Sequence, residues 1–220
     1  MIHPPHIRGG PAVRTASLVA GLFLFALGIV MQLESGLGLG PWDVLNQGIS
    51  ERTPLSFGAA NVAVGLAVLV ASWALGARIG PGTVANAILI GVFVDLLLEA
   101  GPLDSLSEQS LGVRISVLVA AILLIGLGSG LYIGAAMGAG PRDSLMLVGA
   151  RRTGVRLGAV RAALEVAVAA AGLALGGTVG IGTLAFAFGI GPAVELAFGA
   201  LVRAGVAAPQ QHGHEYDRAS

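Results

Sequence analysis

Two carboxylates set 100 positions apart are the first residues of this chain with the type and spacing for chemistry. Asp43 lies in GLGPWDVL at 38–45 and Asp143 in MGAGPRDSL at 137–145, each two residues beyond a proline that ends a Gly-rich break. Two roles suit such a carboxylate. It can sit in the first turn of a helix, where proline's missing N–H costs nothing and negative charge meets the positive end of the helix dipole. If the break lies at membrane depth, the same residue can line a site for a solute or coupling ion, because Gly/Pro-interrupted segments in corresponding halves mark transporter binding sites. Trp42 and Arg142 flank the two carboxylates at matched positions and join the candidates.

A second set lies inside apolar sequence. Asp95 and Glu195 are again 100 apart, each about 18 Å beyond the Thr that opens its helix. Charged groups at such depth are expensive and suggest pairing or proton relay, the alternative being a side chain that snorkels to the interface. Asp95 is expected near Asp43, and Glu195 near Arg142. Glu165 is expected to be buried mid-span and paired with Arg161, four residues earlier on the same helix face. Asn61, at the position matching Arg161, completes this group.

Gly80-Pro81-Gly82-Thr83 and Gly180-Ile181-Gly182-Thr183 open two further helices. Their first N–H groups suit an anion, and a tight hairpin that needs glycine explains the same residues. Other chemistries find no support. There is no Cys, and the four His (His3, His6, His212, His214) lie in polar termini, so no metal or cofactor is expected. Neither a phosphate loop, a dinucleotide fingerprint nor a nucleophile-base-orienter set is present, and an enzyme is not expected. No arginine stripe interleaved with aromatics indicates nucleic acid.

The elements that must hold these residues are transmembrane helices. Of 220 residues 55% are hydrophobic and 11% charged, which places the chain with membrane proteins. Its mean hydropathy is +0.86. Six stretches reach the roughly 20 residues needed to cross hydrocarbon, at 14–34, 56–75, 81–100, 113–134, 156–175 and 181–202. The first is too long and lacks the cleavage site of a signal peptide. Segments 41–50 and 141–150 are too short to span, and read as re-entrant or interfacial helices.

Sliding the chain by 100 positions aligns 13–100 with 113–200, and 34 of the 88 pairs are identical. Matches at Arg14/Arg114, Pro41/Pro141, Asp43/Asp143, Arg52-Thr53/Arg152-Thr153 and the two GxGT turns go beyond chance pairing of Ala, Gly, Val and Leu. Three spans per copy force the second to enter from the opposite side, giving an inverted pair. Ten of the twelve arginines fall on one side if the N-terminus is cytoplasmic, with only Arg52 and Arg114 outside. The reading is therefore an all-α polytopic protein of the bacterial cytoplasmic membrane with both termini inside. Its parts are a disordered tail at 1–12, a membrane repeat at 13–100, an extracytoplasmic linker at 101–112, a second repeat at 113–202 and a disordered tail at 203–220. Small-residue faces are expected to mediate helix contacts across the repeats: Gly126/Gly130/Gly134/Gly138, Ala59/Ala63/Ala67/Ala71 and Ala159/Ala163/Ala167/Ala171.

The GPWD and GPRD breaks, the GxGT turns and the closing GIGPAVEL resemble the YczE/YitT-like bacterial integral membrane proteins, in the short form without an extra soluble domain. The resemblance covers about 13–202 and implies a polytopic membrane protein, with no agreed activity to carry over. From the residues, the first functional reading is a permease for a small polar or anionic solute at the repeat interface. The second is a membrane scaffold, docking a cytoplasmic protein through the Arg-rich loop at 142–161, which anionic lipid would attract equally; a homodimer is the alternative partner.

Overall fold

The computed structural model describes residues 5–208 apart from 102 and 104. It is all-α, with eight α-helices: α1 (Pro11–Ser35), α2 (Pro41–Arg52), α3 (Phe57–Ala74), α4 (Pro81–Ala100), α5 (Leu111–Gly134), α6 (Pro141–Thr153), α7 (Leu157–Ala174) and α8 (Ile181–Arg203). Six of them, all but α2 and α6, are long and apolar enough to cross a membrane. Each helix of the first half starts within a residue or so of 100 positions before its counterpart.

Local sequence sets the boundaries. Proline occupies the first turn of α1, α2, α4 and α6. Gly36 ends α1 in the left-handed region at φ 61°, which costs glycine nothing. Its counterpart at the end of α5 is Ala136, a non-glycine held at φ 51°. The short helices α2 and α6 therefore follow breaks that reverse the chain within a few residues.

The core lies where α1 crosses α5. Gly21 approaches the backbone of Gly128, and Gly28 that of Ala121, so that matched positions exchange places across the crossing. A Cβ on any of these glycines would strike the facing helix. With no hydrophobic force between helices in lipid, such close backbone approach is a main source of packing energy.

The same exchange recurs in polar contacts. Arg14 Nε donates to the Ala135 carbonyl and Arg114 Nε to that of Ser35, both at 2.7 Å. Arg52 Nε donates to Leu175 O and Arg152 Nε to Leu75 O, both at 3.0 Å. Gly82 N–H donates to Met137 O at 2.8 Å, and Gly182 N–H to Leu37 O at 2.7 Å. Each bond in one half thus has a counterpart with donor and acceptor halves interchanged. The arginines satisfy helix-end carbonyls that lack intrahelical donors.

Several expectations are corrected. The glycine series that begins on α5 pairs the halves only in part: Gly126 meets Ala193 and Gly130 meets Ala197 on α8 of the same half, whereas Gly134 meets Ile7 and Gly138 meets Gly80 and Thr83 of the first half. On α3 and α7, Ala63, Ala67, Ala71, Ala159, Ala163, Ala167 and Ala171 are exposed, which leaves these faces to lipid. The tails expected as disordered at 1–12 and 203–220 are structured in their described parts. His6–Ile7 pairs antiparallel with Ala207–Ala208, bringing both ends of the described chain together. Residues 1–4 and 209–220 lie outside the described residues. The 101–112 linker includes a short 3-10 turn at Leu106–Glu108.

Candidate functional site

Side chains from the first turns of the short helices α2 and α6 meet. Arg142, in the first turn of α6, reaches Asp43 in the first turn of α2, with Nη2 to Oδ1 at 3.7 Å. Its guanidinium lies over the Trp42 ring, 5.2 Å from the centroid, within the range of a cation-π contact. Asp43 is 2% exposed and also accepts from Asn46 Nδ2 at 3.1 Å. Asp143, by contrast, faces open space and accepts from the Tyr132 hydroxyl at 3.0 Å.

That open space is a cavity of about 340 Å³ to which all eight helices contribute. Matched positions meet in its wall: Trp42 with Arg142, Asn61 with Arg161, Ile90 with Ile190. Asp143, Glu165 and Glu195 also line it. Arg161 and Glu165 form an ion pair at 2.8 Å, but Glu165 is not buried as expected; its side chain is 20% exposed and that of Arg161 is 49% exposed, both facing the cavity. Two buried donors of wall residues, Trp42 Nε1 and Asn61 Nδ2, have no acceptor among the described residues.

Other expected residues lie elsewhere. Asp43 sits behind the wall as the partner of Arg142. Asp95 is far from any such role: its carboxylate accepts from the Ser56 hydroxyl at 2.5 Å and from Gly58 N–H at 2.8 Å, at the start of α3. Its charge lies in apolar sequence and suggests a site, but the Ser56 hydroxyl and a free N–H at the start of α3 claim this carboxylate first. The GxGT turns are structural. Thr83 Oγ1 and Thr183 Oγ1 accept from Gly80 and Gly180 N–H at 3.1 and 3.2 Å, while Gly82 and Gly182 N–H groups go to carbonyls of the opposite half. A larger cavity of about 450 Å³ beside Arg14, Gly80 and Met137 is mostly apolar, and its Arg14 is committed to carbonyls.

Sequence reasoning missed Tyr132, Asn86 and Ser129 in the wall, and Gln32, whose buried amide has no partner among the described residues. Gln32 and Tyr132 occupy matched positions on α1 and α5, a polar pair in apolar helices that the 100-residue alignment exposes.

The halves differ at one interface. α3 lies along α4, with Gly58 and Gly91 in backbone contact. Their counterparts Gly158 and Gly191 have nothing within 4 Å, and α7 makes no comparable contact with α8. Glu195, the counterpart of Asp95, has no partner among the described residues. The cavity is therefore walled on one side by the α3–α4 contact and unsealed between α7 and α8.

A six-span helical membrane protein with two short half-helices meeting over a polar cavity is the class that this architecture defines. The chain belongs to the family of unknown function DUF6198, whose model matches residues 12–198. It is 36% identical over 188 residues to an uncharacterized protein of Haemophilus influenzae, covering 83% of this chain and 84% of that one. It is 35% identical over 168 residues to the uncharacterized membrane protein YczE of Bacillus subtilis, covering 75% and 76%. A further Bacillus subtilis protein, YyaS, is 29% identical over 131 residues, covering 58% of this chain and 64% of that relative. No solved structure matches.

Proposed function

We propose that the protein is a transporter for a small polar or anionic solute, working by alternating access around the central cavity. One observation carries the reading. The halves match in sequence and in their reciprocal bonds, yet Gly58–Gly91 is closed and Gly158–Gly191 is open. Glycines with no neighbour have no packing reason to be in helices, where they cost about 1 kcal/mol relative to alanine. A second state in which α7 closes on α8, and Glu195 receives the α7 N-terminus as Asp95 receives that of α3, gives them one. Read as an inverted pair, the halves then exchange roles, and the cavity opens at the other end. Arginine distribution supports a place in the bacterial cytoplasmic membrane with both termini on the cytoplasmic side, and with the cavity of this state open toward that side.

The test is disulfide trapping in this Cys-free chain. Gly158→Cys/Gly191→Cys in reconstituted membranes should crosslink under mild oxidant. Crosslinking should also protect a third cysteine, at Arg161, from a thiol reagent added on the cytoplasmic side. Absence of any crosslink, with the Arg161 site always reactive, sinks the transport reading. The scaffold reading has one observation in its favour: Arg151, in the last turn of α6, and Arg156, just before α7, are exposed and their side chains make no bond among the described residues.

A further inference from the structure

The wall of the cavity specifies more than its location. Trp42 is 7% exposed and Asn61 4% exposed; both residues line the cavity, and their buried donors, Trp42 Nε1 and Asn61 Nδ2, meet no acceptor among the described residues. Indole N–H can only donate. A buried donor without an acceptor is costly, and a native structure that tolerates two at one site calls for an explanation. Arg142 adds further N–H groups beside Trp42, since its contact with Asp43 at 3.7 Å is an ion pair without a short hydrogen bond. This part of the wall is built for an oxygen acceptor.

A simple anion nevertheless fits poorly. Around the cavity stand the carboxylates of Asp43, Asp143, Glu165 and Glu195 against the guanidiniums of Arg142 and Arg161, four against two. Arg161 is taken by Glu165 and Arg142 faces Asp43, leaving Asp143 and Glu195 without a cation. Asp143 has only the Tyr132 hydroxyl, on Oδ2. An added anion would deepen the excess of negative charge in a site of low dielectric. A simple cation would leave the Trp42 and Asn61 donors unsatisfied.

We propose, building on the transport reading, that the cavity takes an amphoteric solute of amino-acid size. Its carboxylate is received by Trp42 Nε1, Asn61 Nδ2 and Arg142, and its ammonium group is held by the negative potential of Asp143 and Glu195. A space of about 340 Å³ accommodates such a molecule with a modest side chain.

Trp42 and Trp73 are the only tryptophans. In a Trp73→Phe protein, Trp42 emission reports the site directly. Purified protein is titrated with glycine, serine, leucine, glutamate and lysine, and with analogues of each lacking the amino or the carboxyl group, such as acetate and methylamine for glycine. At least one amino acid should shift the emission saturably, with both of its analogues at least tenfold weaker. Asn61→Asp, which replaces donors by acceptors at constant size, should weaken that amino acid at least tenfold without weakening the amine. An acid analogue as tight as the amino acid makes this an anion site, and an amine as tight makes it a cation site; either overturns the proposal. So does a panel with no response. The analogue comparison needs no variant at Asn61, so misfolding of that variant does not rescue the idea. Crosslinking at 158 and 191 without amino-acid binding leaves transport standing and removes this solute class. Binding without crosslinking keeps the class and removes transport.

Discussion

Gly58 on α3 and Gly91 on α4 press backbone to backbone, each placed so that a Cβ would collide with the other's carbonyl. Alanine at either position must push the helices apart or displace the Asp95 carboxylate beside Gly58. The expected loss is about 1–3 kcal/mol, the usual cost of overpacking. Gly191→Ala, in open surroundings within α8, should be neutral or stabilising by up to about 1 kcal/mol through helix propensity. Thermal unfolding of the purified variants reads both. Equal destabilisation by Gly91→Ala and Gly191→Ala would show that α8 packs in solution as α4 does.

Ala136 sits at φ 51°, where an L-residue loses roughly 1–2 kcal/mol and glycine loses nothing. Its carbonyl accepts from Arg14 Nη2 at 2.8 Å, which helps to hold the turn. Ala136→Gly should therefore raise stability by about 0.5–1 kcal/mol, the larger unfolded-state entropy of glycine offsetting part of the relief. A lower melting temperature in this variant would mean that the strain is absent.

How much of this was legible in the sequence depends on which atoms carry each feature. The two breaks were readable because Gly38 and Gly138 allow the positive φ at which a helix is interrupted, while Pro41 and Pro141 favour a new helix start, where the short helices begin. Arg14/Arg114 and Arg52/Arg152 stood out as matches, but their purpose did not, because they bond carbonyls, and every residue has one. Asp95 looked like a site residue because its charge lies deep in the chain's apolar sequence, whereas its partner is a helix end. The open α7–α8 interface was invisible for a different reason. Gly158 and Gly191 repeat Gly58 and Gly91, so the letters are symmetric where the structure is not.

Asp43 and Arg142 test whether the meeting of α2 and α6 depends on charge. Removing one member of a buried pair leaves the other uncompensated, at a cost of roughly 3–5 kcal/mol. With Asp43 2% exposed, Arg142→Gln should approach the lower end of that range, since Asn46 still donates to the carboxylate. Adding Asp43→Asn to Arg142→Gln should recover part of the loss, giving a coupling of at least about 1 kcal/mol. Strict additivity in the four unfolding midpoints would show that the 3.7 Å contact carries no energy.

Arg161 and Glu165 should behave differently. Their pair is formed along one helix and stands half in open space, with Arg161 49% exposed, so Glu165→Gln should cost no more than about 1 kcal/mol of stability. If the cavity binds solute, the same change should alter ligand response without altering abundance. A large loss of stability would place Glu165 in a tighter environment than the cavity wall.

The arginines near the α6–α7 loop separate transporter from scaffold, provided they are divided by what they touch. Arg152 donates to the Leu75 carbonyl at the end of α3, so its loss weakens helix capping in the fold, whatever the protein does. A triple change that includes it would confuse folding with docking. Arg151 and Arg156 are exposed and free of such bonds, so Arg151→Gln/Arg156→Gln should leave the stability within about 0.5 kcal/mol of the parent, as surface substitutions do. A transporter with its site in the cavity should keep its ligand response and cellular function in this double variant. It should lose both on Asn61→Asp, at normal abundance. A scaffold predicts the reverse, because a docking surface made of these two side chains is removed while the cavity is irrelevant. Complementation of a deletion strain, scored beside protein abundance in the membrane, decides between them. Full function of Asn61→Asp together with failure of the double arginine variant would replace the transport reading with docking of a cytoplasmic partner.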